Sequence, residues 1–439
     1  MKAAVIGSGI SGLAAAWRLR QRARVTLFEA GSHFGGHAHT VDVALPDPQG
    51  RAVTHGVDTG FLVFNERTYP SLIALFDELD VHVSDAEMSF SVQVPGAFGS
   101  EPLEWSGSDL AAVFSQRANL LRPRFWRMLA ELLRFNRLAT GLAEAHLESE
   151  LRQPLERFLR AHRFSREFQD WYLLPMIGCI WSCPTEQMLR FPVGTLIRFC
   201  HNHGLLQVAD RPQWRTVTGG SRRYVQRMVA ALEDARLQTP VLSVERDGDG
   251  VHVRSAAGWE RFDYVVIAAH ADQALAMLAD PSAEERRLLG AVRYQPNRAV
   301  LHTDATVLPT RPRAWAAWNY ERGATAGDDP QVCLHYLINR LQPLPWEQPV
   351  IVSLNPVRPI AAAQVLGEYS YAHPVFDEAA LAAQSQLGSI QGLQRTWFAG
   401  AWTGYGFHED GLCSGLAAAS ALLVQSEADL QFGPQPLAA

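Results

Sequence analysis

The chain has 439 residues, 47% of them hydrophobic and 19% charged, with a formal net charge of −6. That length exceeds one simple core and predicts two domains, and an acidic balance without a basic tail excludes a general nucleic-acid binder. Five cysteines without CxxC spacing (Cys179, Cys183, Cys200, Cys333, Cys413) fit free thiols in a reducing cytoplasm better than a disulfide scaffold, and no apolar stretch reaches membrane-span length.

The first residues, MKAAVIGSGISGLAAAW, share a lysine and an apolar run with signal peptides. Glycines interrupt that run at the spacing of a nucleotide motif, which makes the signal-peptide reading the weaker one. A strand is predicted over Ala3 to Ile6, then Gly7, Gly9 and Gly12 in G-x-G-x-x-G order, then a helix over 10–21 with Leu13, Ala16 and Trp17 facing inward. The first glycine permits the tight turn, the second lets a pyrophosphate approach, and the third allows close helix–strand packing. The helix N-terminus offers free N–H groups to the phosphates. A second strand, RVTLFE, ends at Glu29, about where an acid holds a ribose hydroxyl. Next comes GGHAHT, residues 35–40. Its His37 and His39 are open to three readings: metal ligands, acid–base groups or phosphate contacts. The metal reading is the weakest, because no carboxylate or cysteine lies nearby in sequence.

Further along, Asp58 to Phe64 are predicted to run past the cofactor into a second domain. LRPRFWRMLAELLRFNRL then carries Arg122, Arg124, Arg127, Arg134 and Arg137 against one acid, Glu131. A basic amphipathic helix with aromatics fits either a membrane surface or a lid packed on its own domain. Cys179, Cys183, Cys200, His201 and His203 lack the paired spacing of a zinc site, so buried thiols and hydrogen-bonded histidines are expected there and no metal. The segment 214–232 reads as a Gly-Gly turn and an amphipathic helix. The DGDG at 247–250 marks a hairpin, and Tyr264 to His270 reads as a buried strand. Alternating segments around Trp318, Asn319 and Tyr320, 333–342 and 351–356 predict an antiparallel sheet that lines a substrate cavity. Last, TWFAG, a glycine-rich turn and a small-residue helix from about Gly411 close the chain. His408, Glu409 and Asp410 are the best acid–base candidates, with N-capping as the competing role.

Taken together, VIGSGISGLAAAWRL, VTLFEAGSHFGGHAHT, TGFLVFNERTYP, WRTVTGGSRRYV and FAGAWTGYGFHEDG resemble the FAD-dependent amine oxidase and phytoene desaturase superfamily, over nearly the whole chain. The resemblance implies an α/β fold: a Rossmann-like FAD-binding domain of the amine oxidase type, interleaved with an α+β substrate domain of antiparallel sheet plus helices. It assigns 1–65, 206–295 and 386–430 to the FAD domain, 66–205 and 296–385 to the substrate domain with its helical lid, and 431–439 to a tail. The implied FAD contacts are Gly7, Gly9, Ser11, Gly12, Glu29, Ala30, Gly35, Gly36, Thr59, Gly60, Phe61, Val241 (against adenine), Gly400, Asp410, Gly411 and Leu412. His37 joins them where the family usually has arginine. Ala401 stands where the family commonly has an acid for the ribityl chain.

Many amine oxidases hold a water near flavin N5 with a lysine, but the only lysine here is Lys2. The chain looks closest to a bacterial branch often encoded beside cyclopropane-fatty-acid-synthase-like methyltransferases. That implies hydride removal from a C–H bond of a lipid acyl chain, unsaturated, methylated or cyclopropanated. The alternatives are a flavin amine oxidase and a redox-neutral FAD-dependent isomerase. A small-molecule or lipid substrate, no nucleic acid, and a cytoplasmic location with peripheral contact to the inner membrane through 117–138 complete the expectation.

Overall fold

The computed structural model describes residues 1–145, 151–181, 185–207, 211–323 and 332–432. Cys183 and most of the expected tail, 433–439, lie outside them. The N-terminal run Lys2–Ile6 (β1) is buried from Ala3 onward, as a strand covered on both faces must be. It leads through the glycine turn into Ile10–Leu19 (α1) and on to Arg24–Phe28 (β2). Three distant segments complete the sheet: Asp234–Arg236 (β3), Tyr264–Ile267 (β4) and Thr396–Phe398 (β5). The spatial order is β3-β2-β1-β4-β5, every pair parallel. The 247–250 turn joins Ser243–Arg246 to Val251–Ser255 in an antiparallel hairpin, with Arg246 opposite Val251. Behind it Arg246 and Glu285 form a buried ion pair with N–O separations of 2.6 and 3.0 Å.

The second large sheet has seven strands, ordered Val365–Val375, Arg293–His302, Ile351–Leu354, Cys333–Leu337, Trp318–Glu321, Phe90–Phe98 and Glu101–Ser106. All pairs are antiparallel except Trp318–Glu321 with Phe90–Phe98, which is parallel. The segments around 318, 333–342 and 351–356 pair antiparallel as expected, and the parallel pair joins them to a strand from a distant part of the chain. The segment 169–181 packs on this sheet, Pro123–Glu144 (α3) packs on Val193–Asn202 (α4), and Pro70–Glu78 (α2) lies against the C-terminal helix. Arg222–Ala230 (α5) and His408–Phe432 (α6) return to the parallel sheet.

Two ties hold the segments in register. Helix α6 lies against α1 so closely that a Cβ on Gly415 would sit 2.0 Å from the Ser11 carbonyl oxygen. The buried Asp58 carboxylate accepts bonds from Thr40, Ser221 and Gln342 side chains at 2.5–2.8 Å, joining three stretches of chain. Burial raises its pKa to about 6. None of the described helices is long and apolar enough to cross a membrane.

Candidate active site

A cavity of about 1430 Å³ runs from the glycine turn to helix α3. A site for one small ligand takes about 300–1,000 Å³, so this one has room for a dinucleotide and a second molecule beside it. At its first end Gly7 adopts φ +99°, and a Cβ there would approach the Ala268 oxygen to 2.5 Å. Around Gly9 nothing lies within 4 Å of a Cβ position, which leaves the backbone open to a large anion. Glu29 takes the Ser8 N–H (2.9 Å) and hydroxyl (2.5 Å) on one oxygen and the Gly31 N–H (2.6 Å) on the other. It therefore braces the turn as well as lining the cavity. Gly35 passes alongside, its N–H bonded to Ser8 at 3.1 Å.

His37 follows, half-buried on the cavity wall, and its buried Nε2 has no hydrogen-bond partner. Burial, followed by the neighbouring His373, His270 and His408 charges, holds its pKa well below the usual imidazole range. A neutral imidazole with an unsatisfied nitrogen, on the same wall as the open Gly9 backbone, suits an oxygen-rich ligand. The chemistry of a dinucleotide pyrophosphate fits it. His39 does not line the cavity. Its Nδ1 bonds Thr59 (3.0 Å) and Tyr371 (3.1 Å), and its ring stacks on His33 at 4.0 Å, which makes it a histidine held by its neighbours away from the cavity.

The strap at 35–37 presses on the segment 59–61. Phe61 N–H donates to the His37 carbonyl at 2.7 Å, and a Cβ on Gly60 would lie 2.3 Å from that same oxygen. The Phe61 ring stacks on His408 at 3.8 Å and 12°. His408 Nε2 shares a 2.6 Å hydrogen bond with Tyr224, and burial lowers its pKa to about 3. Held this way, His408 is a neutral, oriented wall rather than a proton carrier.

Glu409 and Asp410 point elsewhere, which corrects their acid–base reading. Glu409 accepts the N–H groups of Ser71 (2.7 Å) and Leu72 (2.9 Å), capping α2. Asp410 takes the Phe407 N–H at 2.9 Å, the reach-back of a capping box, and burial raises its pKa to about 6. Both line a separate pocket of about 350 Å³ with Arg67, Tyr405 and His203. Helix α6 begins at His408, not Gly411. The Gly411 N–H is already spent on the Phe407 carbonyl at 3.0 Å, so Gly411 and the fully buried Leu412 pack the helix instead of presenting free donors. Gly12 and Thr59 likewise lie behind the wall, whereas Ser11, Ala30, Gly36, Val241, Gly400 and Ala401 line it. Asp410 is not on that wall and so does not replace the acid missing at Ala401.

Beyond Phe61 the walls are mostly apolar: Trp105, Tyr172, Met176, Ile180, Phe199, Leu205, Trp214, Trp318 and Tyr336, then Trp126, Leu129, Leu132 and Leu133 on α3. Trp318 lines this part as expected, but Asn319 turns away and bonds Ser91 and the Ala316 and His335 backbone. Polar residues also border this part, among them Glu87, Ser89, Asn136, Arg211, Gln213 and His203, the last read from sequence as a satisfied histidine. Its Nδ1 donates to the Phe199 carbonyl at 3.0 Å, which leaves Nε2 as the lone-pair nitrogen. Burial brings its pKa to about 4, and the residue borders both pockets. The local signal was a histidine four residues after Phe199 at a helix end, where the ring reaches back to the i−4 carbonyl.

Among the described residues Cys179, Cys200, His201 and His203 do not converge as a donor set; Glu321, Cys333 and His335 do, within 4.8 Å. There Arg358 holds both Glu321 oxygens, at 2.7 and 3.1 Å. Cys333 and His335 add to an internal ion-pair network rather than an open site.

A family model described as flavin containing amine oxidoreductase matches residues 10–332. No curated protein sequence matches the chain. Several solved structures share its fold. The CLA-producing fatty acid isomerase from P. acnes aligns with a TM-score of 0.65 at 16% identity, over 96% of this chain and 98% of that one. A redesigned putrescine oxidase gives 0.66 at 15%, over 97% and 99%. The cyclohexylamine oxidase from Brevibacterium oxydans gives 0.64 at 16%, over 97% and 99%.

Proposed function

The chain belongs to the flavin-containing amine oxidoreductases and is an FAD-dependent oxidoreductase, and we propose that it acts on the acyl chain of a lipid. The observation that carries this reading is the apolar lining of the cavity between Phe61 and α3, too long and too dry for a small ammonium ion. Its wall contains no lysine, and the Glu87 carboxylate bordering it is bonded to Arg340 at 2.6 Å, so a cationic amine finds no free counter-charge there.

FAD, when bound, supplies a hydride acceptor. The residues that would hold it are the Gly7–Gly9 turn, Glu29, the Gly35–His37 strap and Gly60–Phe61. The chain's own residues do the rest. Apolar side chains exclude water and align an acyl chain along the cavity. The Phe61–His408 stack, fixed by Tyr224, forms a rigid wall. His203 presents a neutral Nε2 that takes the proton from the carbon next to the one losing hydride, leaving a carbon–carbon double bond. The fatty acid isomerase that shares this fold favours a second outcome, in which the acyl chain keeps its oxidation level and the double bond moves.

Anaerobic incubation of the holoenzyme with free oleate and with oleoyl phospholipid, read by flavin absorbance and lipid mass spectrometry, tests the reading. Bleaching with an additional double bond supports oxidation, and a moved double bond without net bleaching supports isomerisation. Unaltered acyl chains, together with peroxide release from a panel of amines in air, would overturn the lipid reading.

A further inference from the structure

Residues 110–137 leave large apolar side chains in solvent. Leu110 is 80% exposed, Leu121 87%, Leu133 53%, Leu120 49% and Trp126 48%. They form one surface. Phe114 packs on Trp126 at 5.3 Å between ring centroids, and Trp126 donates its indole N–H to the Leu120 carbonyl at 2.9 Å. On α3, Trp126, Ala130, Leu133 and Arg137 recur at helical spacing on one side, while Phe125, Met128, Phe135 and Ala139 are buried. A soluble helix that sinks its core face and still displays Trp and Leu outward exposes more apolar surface than packing requires.

The same residues open the cavity. Leu110, Phe114, Trp126 and Leu133 belong both to this surface and to the cavity wall, so the patch is the rim of the apolar channel.

Charge decides what fits it. Six arginines lie between 117 and 137, with Glu131 the one acid among them. Glu167 answers Arg124 at 2.6 Å and lies 4.0 Å from Arg127. Glu101 pairs with Arg122, and Glu131 accepts from Ser165 on one oxygen at 2.6 and 2.9 Å and lies 3.8 Å from Arg134 through the other. Asp109 caps 110–113. Arg117 and Arg137 are exposed and make no ion pair among the described residues, and Arg127 and Arg134 are about half exposed. The rim is therefore apolar at its centre and net cationic at its edge.

We propose that this face docks on an anionic lipid bilayer, with Leu120, Leu121, Trp126 and Leu133 among the acyl chains and the arginines against phosphate headgroups. The cavity mouth then opens into the bilayer, and an acyl chain enters without crossing water. Docking goes beyond the acyl-chain reading and is measured without turnover.

The test is flotation of the holoprotein with phosphatidylcholine vesicles, with and without phosphatidylglycerol. Binding is expected to the anionic vesicles and to weaken as salt shortens the Debye length. Leu121→Asp, outside the cavity wall, should weaken binding tenfold or more while keeping the flavin spectrum and circular dichroism. Arg117→Glu with Arg137→Glu should reduce the preference for phosphatidylglycerol. The proposal is overturned if the native protein stays in solution, if Leu121→Asp floats as well as the native chain, or if the patch instead seats a second copy, seen as a dimer that Leu121→Asp dissociates. A protein that floats yet leaves acyl chains unaltered supports docking and sinks only the substrate reading.

Discussion

Replacing His37 by alanine should cost FAD affinity and leave the fold in place. In the folded chain its Nε2 is buried without a partner, beside Gly9, where the backbone stands open. A hydrogen bond from this nitrogen to a charged phosphate is worth about 1.5–3 kcal/mol, or roughly ten- to a hundredfold in Kd at about 1.4 kcal/mol per tenfold. The ring also packs on Tyr371 at 4.9 Å and His373 at 5.4 Å, and truncation loses those contacts in both free and loaded protein, so they largely cancel in the binding difference. The sign with pH follows from the shift. Without cofactor, burial holds His37 neutral through the neutral range. A bound pyrophosphate raises its pKa, so binding takes up a proton and affinity climbs as pH falls toward the raised value. Titrating apoprotein with FAD from about pH 8.5 to 5.5, followed by flavin fluorescence quenching, measures both effects. The alanine variant should be weaker and lose the pH slope, and glutamine should recover part of the affinity without the slope. An alanine variant binding within twofold of the native chain, with the slope intact, refutes the reasoning.

Other outcomes follow from the same geometry. The half-buried His373 and the buried His408 have pKa values lowered to about 4 and about 3, below their unfolded value. Each then contributes stability above pH 6.5 that is lost as pH falls, about 2 kcal/mol apiece by pH 5; apoprotein Tm measured from pH 7 to 5 should drop accordingly, and a flat Tm would contradict it. Gly415→Ala gains about 1 kcal/mol of helix propensity. A Cβ 2.0 Å from the Ser11 oxygen must nonetheless push α6 off α1, so a net loss of about 1–3 kcal/mol and lower flavin occupancy are expected in denaturation and absorbance measurements. His203→Gln should lower kcat far more than KM and abolish the loss of activity expected below about pH 4–5, where His203 protonates; an unchanged kcat would remove it from the chemistry.

The nucleotide cradle could be read locally because its requirements are local. Gly7, Gly9 and Gly12 must occur at fixed spacing for a strand to turn into a helix around a phosphate, and Glu29 must end the next strand. Neither depends on anything far along the chain. The 247–250 hairpin is legible for the same reason. The triplet at 408–410 was not. Adjacent residues at a helix start point about 100° apart, so only the packing of α6 against α1, α2 and α5 sends His408 to the cavity wall and gives Glu409 and Asp410 to caps.

His203 shows the same limit from the other side. Its composition and spacing suggest a satisfied core histidine, and one nitrogen is indeed satisfied; which way the other faces depends on Phe199 of its own helix and on Phe407 and Trp214, brought around it by two other segments. Periodicity in 122–137 announced an amphipathic basic helix but left lid and membrane face equally open. The tertiary structure separated its three sides: one buried, one lining a channel, one left in solvent at the channel's mouth. Sequence determined what bonds locally within one turn of backbone, and tertiary structure decided where side chains point, because direction is set by neighbours that the chain order does not bring together.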